Sequence, residues 1–231
     1  MEHSEKTHYL KTTDLFQDFG EEELLTLERR IPSTTVEAGR VIYSPDDPGE
    51  VLFILKEGRV RLYRISPEGK SLTTAIIEPG AVFGEMALLG QGMHDSFAEA
   101  LENCVICTLS RRDVQDVLLA DPRVARRLLE LIGRRLLQAE RKLEDFAFKS
   151  VPERLATLLL QLAHIAPGQR PASATLAARY THQQLAEMIG TYRETVTKTL
   201  NGFRQQGLLR MEQGRIQLID PAGLQEMSSR S

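Results

Sequence analysis

From Val36 to about Leu109 the apolar positions fall in short runs, each closed by a turn signal. Val41–Tyr43 ends at Ser44–Gly49, Val51–Leu55 at Glu57-Gly58, Val60–Ile65 at Ser66–Gly69 and Leu72–Ile77 at Pro79-Gly80; Cys104–Leu109 follows a longer connection. Short β-rich runs at such intervals predict strands of a sandwich or roll. Before them, Leu15, Phe16, Phe19, Leu24, Leu25 and Leu27 predict a short helical stretch within 13–30. After them the period changes. Asp121-Pro122 opens a long helix from about Arg123 to Lys149, with Ala125, Leu129, Ile132, Leu136, Ala139, Leu143 and Phe146 spaced 4-3-4-3-4-3. That spacing is a heptad seam. Leu128, Leu131 and Leu137 lie off the seam and are expected to pack on the roll. The seam is left for a second copy of the chain, in a parallel homodimer. Pro152 is expected to break the helix, because it restricts the residue before it. A further helix is predicted over Glu153–Ala166, then an exposed loop over Pro167–Ser173.

The segment Thr181–Gly207 predicts two helices joined by a tight turn. Thr181 with Gln184, and Thr191 with Glu194, have the spacing of capping boxes, each marking a helix start. Leu185, Ala186 and Ile189 form the apolar face of the first helix, which ends at Gly190. Val196, Leu200 and Phe203 form that of the second, which stops at Gly207. The opposite side of the second helix carries Arg193, Glu194, Thr197 and Lys198. A guanidinium, a carboxylate and an ammonium facing outward suit the reading of base edges in a major groove. An αα-hairpin within a bundle has the same capping signals, but Leu208–Ile219 predicts a hairpin turning at Gln213-Gly214. Helix, turn, helix and hairpin make a winged helix. The expected fold is α+β, with a β-roll over 1–120, a dimerisation helix over 121–149 and a winged helix-turn-helix over 150–231.

Charge sharpens the division. Residues 151–231 hold nine Lys/Arg against six Asp/Glu, a net of +3, and the remainder holds 20 against 26, a net of −6. The C-terminal part is the end that tolerates a phosphate backbone. The two cysteines, Cys104 and Cys107, have redox or zinc spacing, but they lie in a strand pattern where residues three apart face opposite ways. Two buried thiols are expected, since one pair does not fill a zinc site. No run of apolar residues reaches membrane-spanning length and Met1–His8 lacks the build of a signal peptide, so a cytoplasmic protein without a membrane partner is expected. The five histidines, His3, His8, His94, His164 and His182, show no metal-binding spacing, and the adjacency of His94, Asp95 and Ser96 is no evidence of a triad. An enzyme is not expected.

The order of roll, long helix and winged helix resembles the cAMP receptor/fumarate-nitrate regulator (CRP/FNR) family of bacterial transcription factors. The resemblance covers nearly the whole chain. It is carried by Gly39 and Gly58, by Pro79-Gly80 with Phe83-Gly84-Glu85, and by Arg193-Glu194-Thr195-Val196. It implies a homodimer on a pseudo-palindromic site of the GTG…CAC type, with Arg193 on guanine, Glu194 on cytosine and Lys198 on a further guanine or a phosphate. Thr181, His182, Gln183, Thr191, Tyr192, Thr195 and Thr197 are the candidate backbone contacts. RNA polymerase is the implied further partner, met at the loop Pro167–Ser173 by an activator. In the implied effector pocket Gly84, Glu85 and Ser96 match, but the phosphate arginine falls on Asp95, and the purine-contacting pair on Ala139-Glu140. A carboxylate beside a phosphodiester repels it, so cAMP is not the expected effector and no cofactor is expected. The cysteine cluster of the iron–sulfur members is missing, and His94 is the only histidine in the roll that could serve haem. The alternatives are a regulator that answers cAMP or another small ligand, and a sensing module with a protein partner.

Overall fold

The computed structural model describes residues 10, 11, 13–28, 31–45, 47, 51–84, 96–110, 112, 114, 121–166, 168, 169, 171–176, 178–212 and 214–229. Two compact units divide between Leu136 and Leu137.

The first unit is built on two four-stranded antiparallel sheets. The strands are β1 (Ser33–Val36), β2 (Val41–Tyr43), β3 (Val51–Glu57), β4 (Val60–Ile65), β5 (Ser71–Ile77), β6 (Val82–Phe83), β7 (Phe97–Ala100) and β8 (Cys104–Ser110). One sheet runs β1-β8-β3-β6 and the other β2-β7-β4-β5, so the chain passes repeatedly from sheet to sheet as in a jelly roll. Between them lies a core with Tyr43, Phe53 and Phe83 stacked at its centre, Phe53 and Phe83 having ring centroids 5.0 Å apart. Strands β3 and β8 are buried on both faces. Phe53, Leu55, Cys104 and Ile106 point into the sandwich, whereas Leu52, Ile54, Cys107 and Leu109 point to a second core outside it. This is why Val51–Leu55 is apolar without alternation. The two cysteines are buried, free and on opposite faces. Gly58 turns β3 into β4 with φ +87°, and a Cβ there would lie 2.5 Å from the Asn103 carbonyl oxygen. β1, β6 and β7 escape the sequence pattern because each is short and held mainly by its neighbours in the sheet.

The outer core is closed by helix α1 (Glu21–Glu28), by Leu15 and Phe16, and by the first half of α2 (Pro122–Phe148). The helical stretch expected within 13–30 begins only at Glu21. Ahead of it the chain makes tighter turns, with Phe16 N–H bonded to the Thr13 carbonyl and Phe19 N–H to that of Phe16. Helix α2 packs through Val124, Leu128 and Leu131. Leu137, expected to join them, is 55% exposed, because another turn and a half of helix carries it past the end of this core.

The second unit holds α3 (Val151–Leu162), β9 (Ala174–Thr175), α4 (His182–Ile189), α5 (Arg193–Gln205), β10 (Leu209–Glu212), β11 (Arg215–Leu218) and α6 (Pro221–Ser228). Helix α3 starts two residues earlier than expected and ends four earlier. Pro152 sits in its first turn, where a missing N–H costs nothing. The hairpin β10–β11 turns at Gly214 (φ +76°) as expected, and β9 adds a third strand beside β11. A single core joins Leu155, Leu159, Leu185, Ile189, Val196, Leu200, Phe203, Leu209 and Leu218. Among the described residues no helix is long and apolar enough to cross a membrane.

Candidate nucleic-acid interface

Helix α4 starts as its sequence requires. The Thr181 hydroxyl accepts from the Gln184 N–H at 3.1 Å, and the Gln184 side chain accepts from the Thr181 N–H at 2.8 Å. The helix ends at Gly190 in the left-handed conformation, and the N–H groups of Gly190 and Thr191 both turn back to the Ala186 carbonyl. This displaces the second capping box. Tyr192, not Thr191, precedes α5, and Arg193 is already helical. Thr191 is used to close α4, so with only three residues between the helices it does not also cap α5.

The two helices are pinned across the turn. Nδ1 of His182, on the first residue of α4, lies 2.8 Å from Oγ1 of Thr197 on α5. The Thr197 hydroxyl also lies within hydrogen-bonding distance, 3.0 Å, of the Arg193 carbonyl. His182 is therefore a half-buried link between helices rather than a freely solvated side chain. Gln183 donates to Glu187 at 2.8 Å, and the Thr195 side chain is half-buried.

Val196, Leu200 and Phe203 anchor α5 in the core, so its other side must face solvent. Arg193, Glu194 and Lys198 are all exposed there and make no ion pair with the described residues. The arginines of the first unit behave differently, several being paired with carboxylates within 3 Å. Thr197, Asn201, Gly202 and Gln205 complete an open hollow of about 700 Å³ along this side of the helix. Asn201 and Gln205 carry no charge to mark them in the sequence, although both lie on the same helical stripe as Lys198. Tyr192 is 60% exposed beside the helix start. A donor-rich, unpaired helix face with a wing behind it can reach into a groove and hydrogen-bond to base edges.

The effector-pocket residues are less complete. Gly84 follows β6 with φ +81°, Ser96 is half-buried before β7, and Glu85 and Asp95 lie outside the described residues. Ala139 and Glu140 are exposed on the second half of α2. No Arg or Lys occurs between Ala81 and Ser110, yet Arg135 of α2 reaches the same edge of the roll and donates to the Val82 carbonyl. The local sequence gives no sign of this cation, because it comes from 53 residues away. The seam residues Leu129, Leu136 and Leu143 are 71%, 60% and 70% exposed. Ala139 and Phe146 are also exposed, and Ile132 is half-buried.

Fold and helix face together define the class, a DNA-binding transcription regulator. Residues 33–121 match the cyclic nucleotide-binding domain and residues 153–227 the Crp-like helix-turn-helix domain. The chain is 31% identical to the Cyclic AMP receptor protein of Thermus thermophilus over 219 residues, covering 95% of this chain and 98% of the relative. It is 30% identical to the Global nitrogen regulator of Synechococcus elongatus, covering 90% and 98%. Among solved structures, a CRP/FNR-family transcriptional regulator of T. thermophilus superposes with a TM-score of 0.71 at 33% identity, covering 87% of this chain and all of the other. A CooA variant from Carboxydothermus hydrogenoformans gives 0.74 at 27%, covering 87% and 89%. The chain belongs to the CRP/FNR family of transcription regulators.

Proposed function

We propose that the protein is a homodimeric activator that reads a palindromic GTG…CAC-type site without cAMP. The observation that carries this is the exposed, unpaired set Arg193, Glu194 and Lys198 on α5. Arg193 forks onto guanine O6 and N7, Glu194 accepts from a cytosine N4 amine, and Lys198 reaches a guanine or phosphate one turn on. Thr181, Gln183, Thr191, Tyr192 and Thr195 fix register on the backbone, with His182 and Thr197 supporting the arrangement through their mutual hydrogen bond. The exposed seam of α2 supports pairing of two copies, residues 129, 132, 136, 139, 143 and 146 meeting their counterparts. That pairing puts one α5 into each of two half-sites. By its likeness to the family's activators the protein meets RNA polymerase in the cytoplasm, at the loop whose residues 168, 169 and 171–173 are exposed.

Independence from cAMP is supported by Asp95 in the phosphate-binding stretch and by Ala139-Glu140 on α2. A second reading, control by cAMP or another small ligand, is favoured by the likeness to the Cyclic AMP receptor protein and by the Arg135 guanidinium at the roll edge. Fluorescence anisotropy with a GTG…CAC duplex, titrated with and without cAMP, separates them. The same affinity in both arms is expected. Tightening by about a hundredfold, on the order of 3 kcal/mol, would establish the second reading instead.

A further inference from the structure

Helix α5 stays exposed well past the residues that open it. With Val196, Leu200 and Phe203 buried, a rotation of about 100° per residue aligns Glu194, Lys198, Asn201 and Gln205 on the opposite side. Asn201 and Gln205 are exposed, and neither side chain bonds to any described residue. Both border the hollow that runs along the helix from Arg193.

Gly202, between them, is the unexplained residue. Glycine inside a helix is less favourable than alanine, because the unfolded chain loses more freedom. A close neighbour or a left-handed backbone would account for it, and neither occurs here. Its backbone is helical, and a Cβ would have nothing within 4 Å. Among the described residues nothing excludes a side chain at this position.

Arg193 and Asn201 are eight residues apart, which at 1.5 Å per residue is about 12 Å, the width of a major groove. With Arg193 at the base edges, Asn201 and Gly202 reach the groove wall, where the sugar–phosphate strand runs. We infer that Asn201 and Gly202 form a phosphodiester contact: Gly202 admits the strand close to the helix, and the Asn201 carboxamide N–H donates to a phosphate oxygen. The inference rests on the DNA-reading assignment of α5. The contact is neutral on the protein side and blind to sequence, so it sets how deeply the helix sits rather than which bases it prefers.

The test is Gly202→Ala and Asn201→Ala in the full chain, with melting temperature and anisotropy on a GTG…CAC duplex and a scrambled one at low salt. Gly202→Ala is expected to melt higher and bind both duplexes about tenfold more weakly, and Asn201→Ala to weaken both by about two- to tenfold. Wild-type affinity in both variants would overturn the inference. Loss confined to the GTG…CAC duplex would overturn it too, by making Asn201 a base reader. A lower melting temperature for Gly202→Ala would place the need for glycine inside the fold, with the same result. Wild-type protein that binds neither duplex would remove the DNA-reading assignment itself, and the inference with it.

Discussion

Arg193 and Cys104 show how differently two residues can use their surroundings. Arg193 sits in the first turn of α5, where the helix dipole disfavours a cation, and no carboxylate compensates it among the described residues. That arrangement is poor for stability and good for capturing a partner with planar acceptors. Arg193→Ala is therefore expected to leave the fold intact and cut the preference for the GTG…CAC duplex over a scrambled one by about 5- to 150-fold, the equivalent of roughly 1–3 kcal/mol. Anisotropy on the two duplexes measures it, and unchanged discrimination would move base reading elsewhere on the helix. Cys104 is the reverse case. Burial pushes its thiol above its ordinary value, which suppresses the reactive thiolate. Its C-x-x-C spacing carries no chemistry because β8 sends Cys107 to the other core.

At the scale of elements, α2 has two apolar stripes with separate destinations. Val124, Leu128 and Leu131 face the roll, and the seam residues Leu129, Leu136 and Leu143 are exposed on another side of the helix. Leu136→Glu places a charge in that seam without touching the roll core. It is expected to give monomers in sedimentation equilibrium and weaker DNA binding, since one half-site supplies about half the contacts. A mutant that stays dimeric would show that the copies pair through another surface. The seam was legible from its heptad spacing because period is a property of the local sequence. Thr181 was legible for the same reason, its capping box being complete within four residues. Thr191 and Glu194 have identical spacing and form no box, because the left-handed cap at Gly190 takes the Thr191 N–H first. The two residues of β9 show no pattern at all, being held by pairing with Gln217 and Leu218. Arg135 at Val82 was hidden likewise, since only the tertiary fold brings them together.

For the whole molecule the governing fact is the separation of charge, +3 over residues 151–231 and −6 over the rest. An acidic first unit repels a phosphate backbone, but it gathers carboxylates that must be offset. The arginines of α2 do this. Asp18 pairs with Arg126 at 2.7 Å and Arg127 at 2.8 Å, Glu23 with Arg123 at 2.7 Å, and Asp14 with Arg134 at 2.6 Å. The hydrogen bond from Arg127 holds the Asp18 carboxyl below its ordinary 3.8, and that from Arg123 holds Glu23 below 4.5. Each pair is exposed and screened by salt, so their contribution is modest and acts as a set. A carboxyl with a depressed folded-state pKa stabilises the fold above its unfolded value and loses that contribution as pH falls through the folded one. The window therefore opens near pH 4.5 and extends downward. The first unit is expected to melt at a steady temperature from about pH 7 to 5, then progressively lower below about pH 4.5. Asp18→Asn has no proton to gain at this position. It should melt below wild type at neutral pH, and the gap should close on acidification. Thermal melts by circular dichroism across that range check this. A gap that stays constant with pH would mean that Asp18 is held by the shape of the turn around Phe19 and not by its charge.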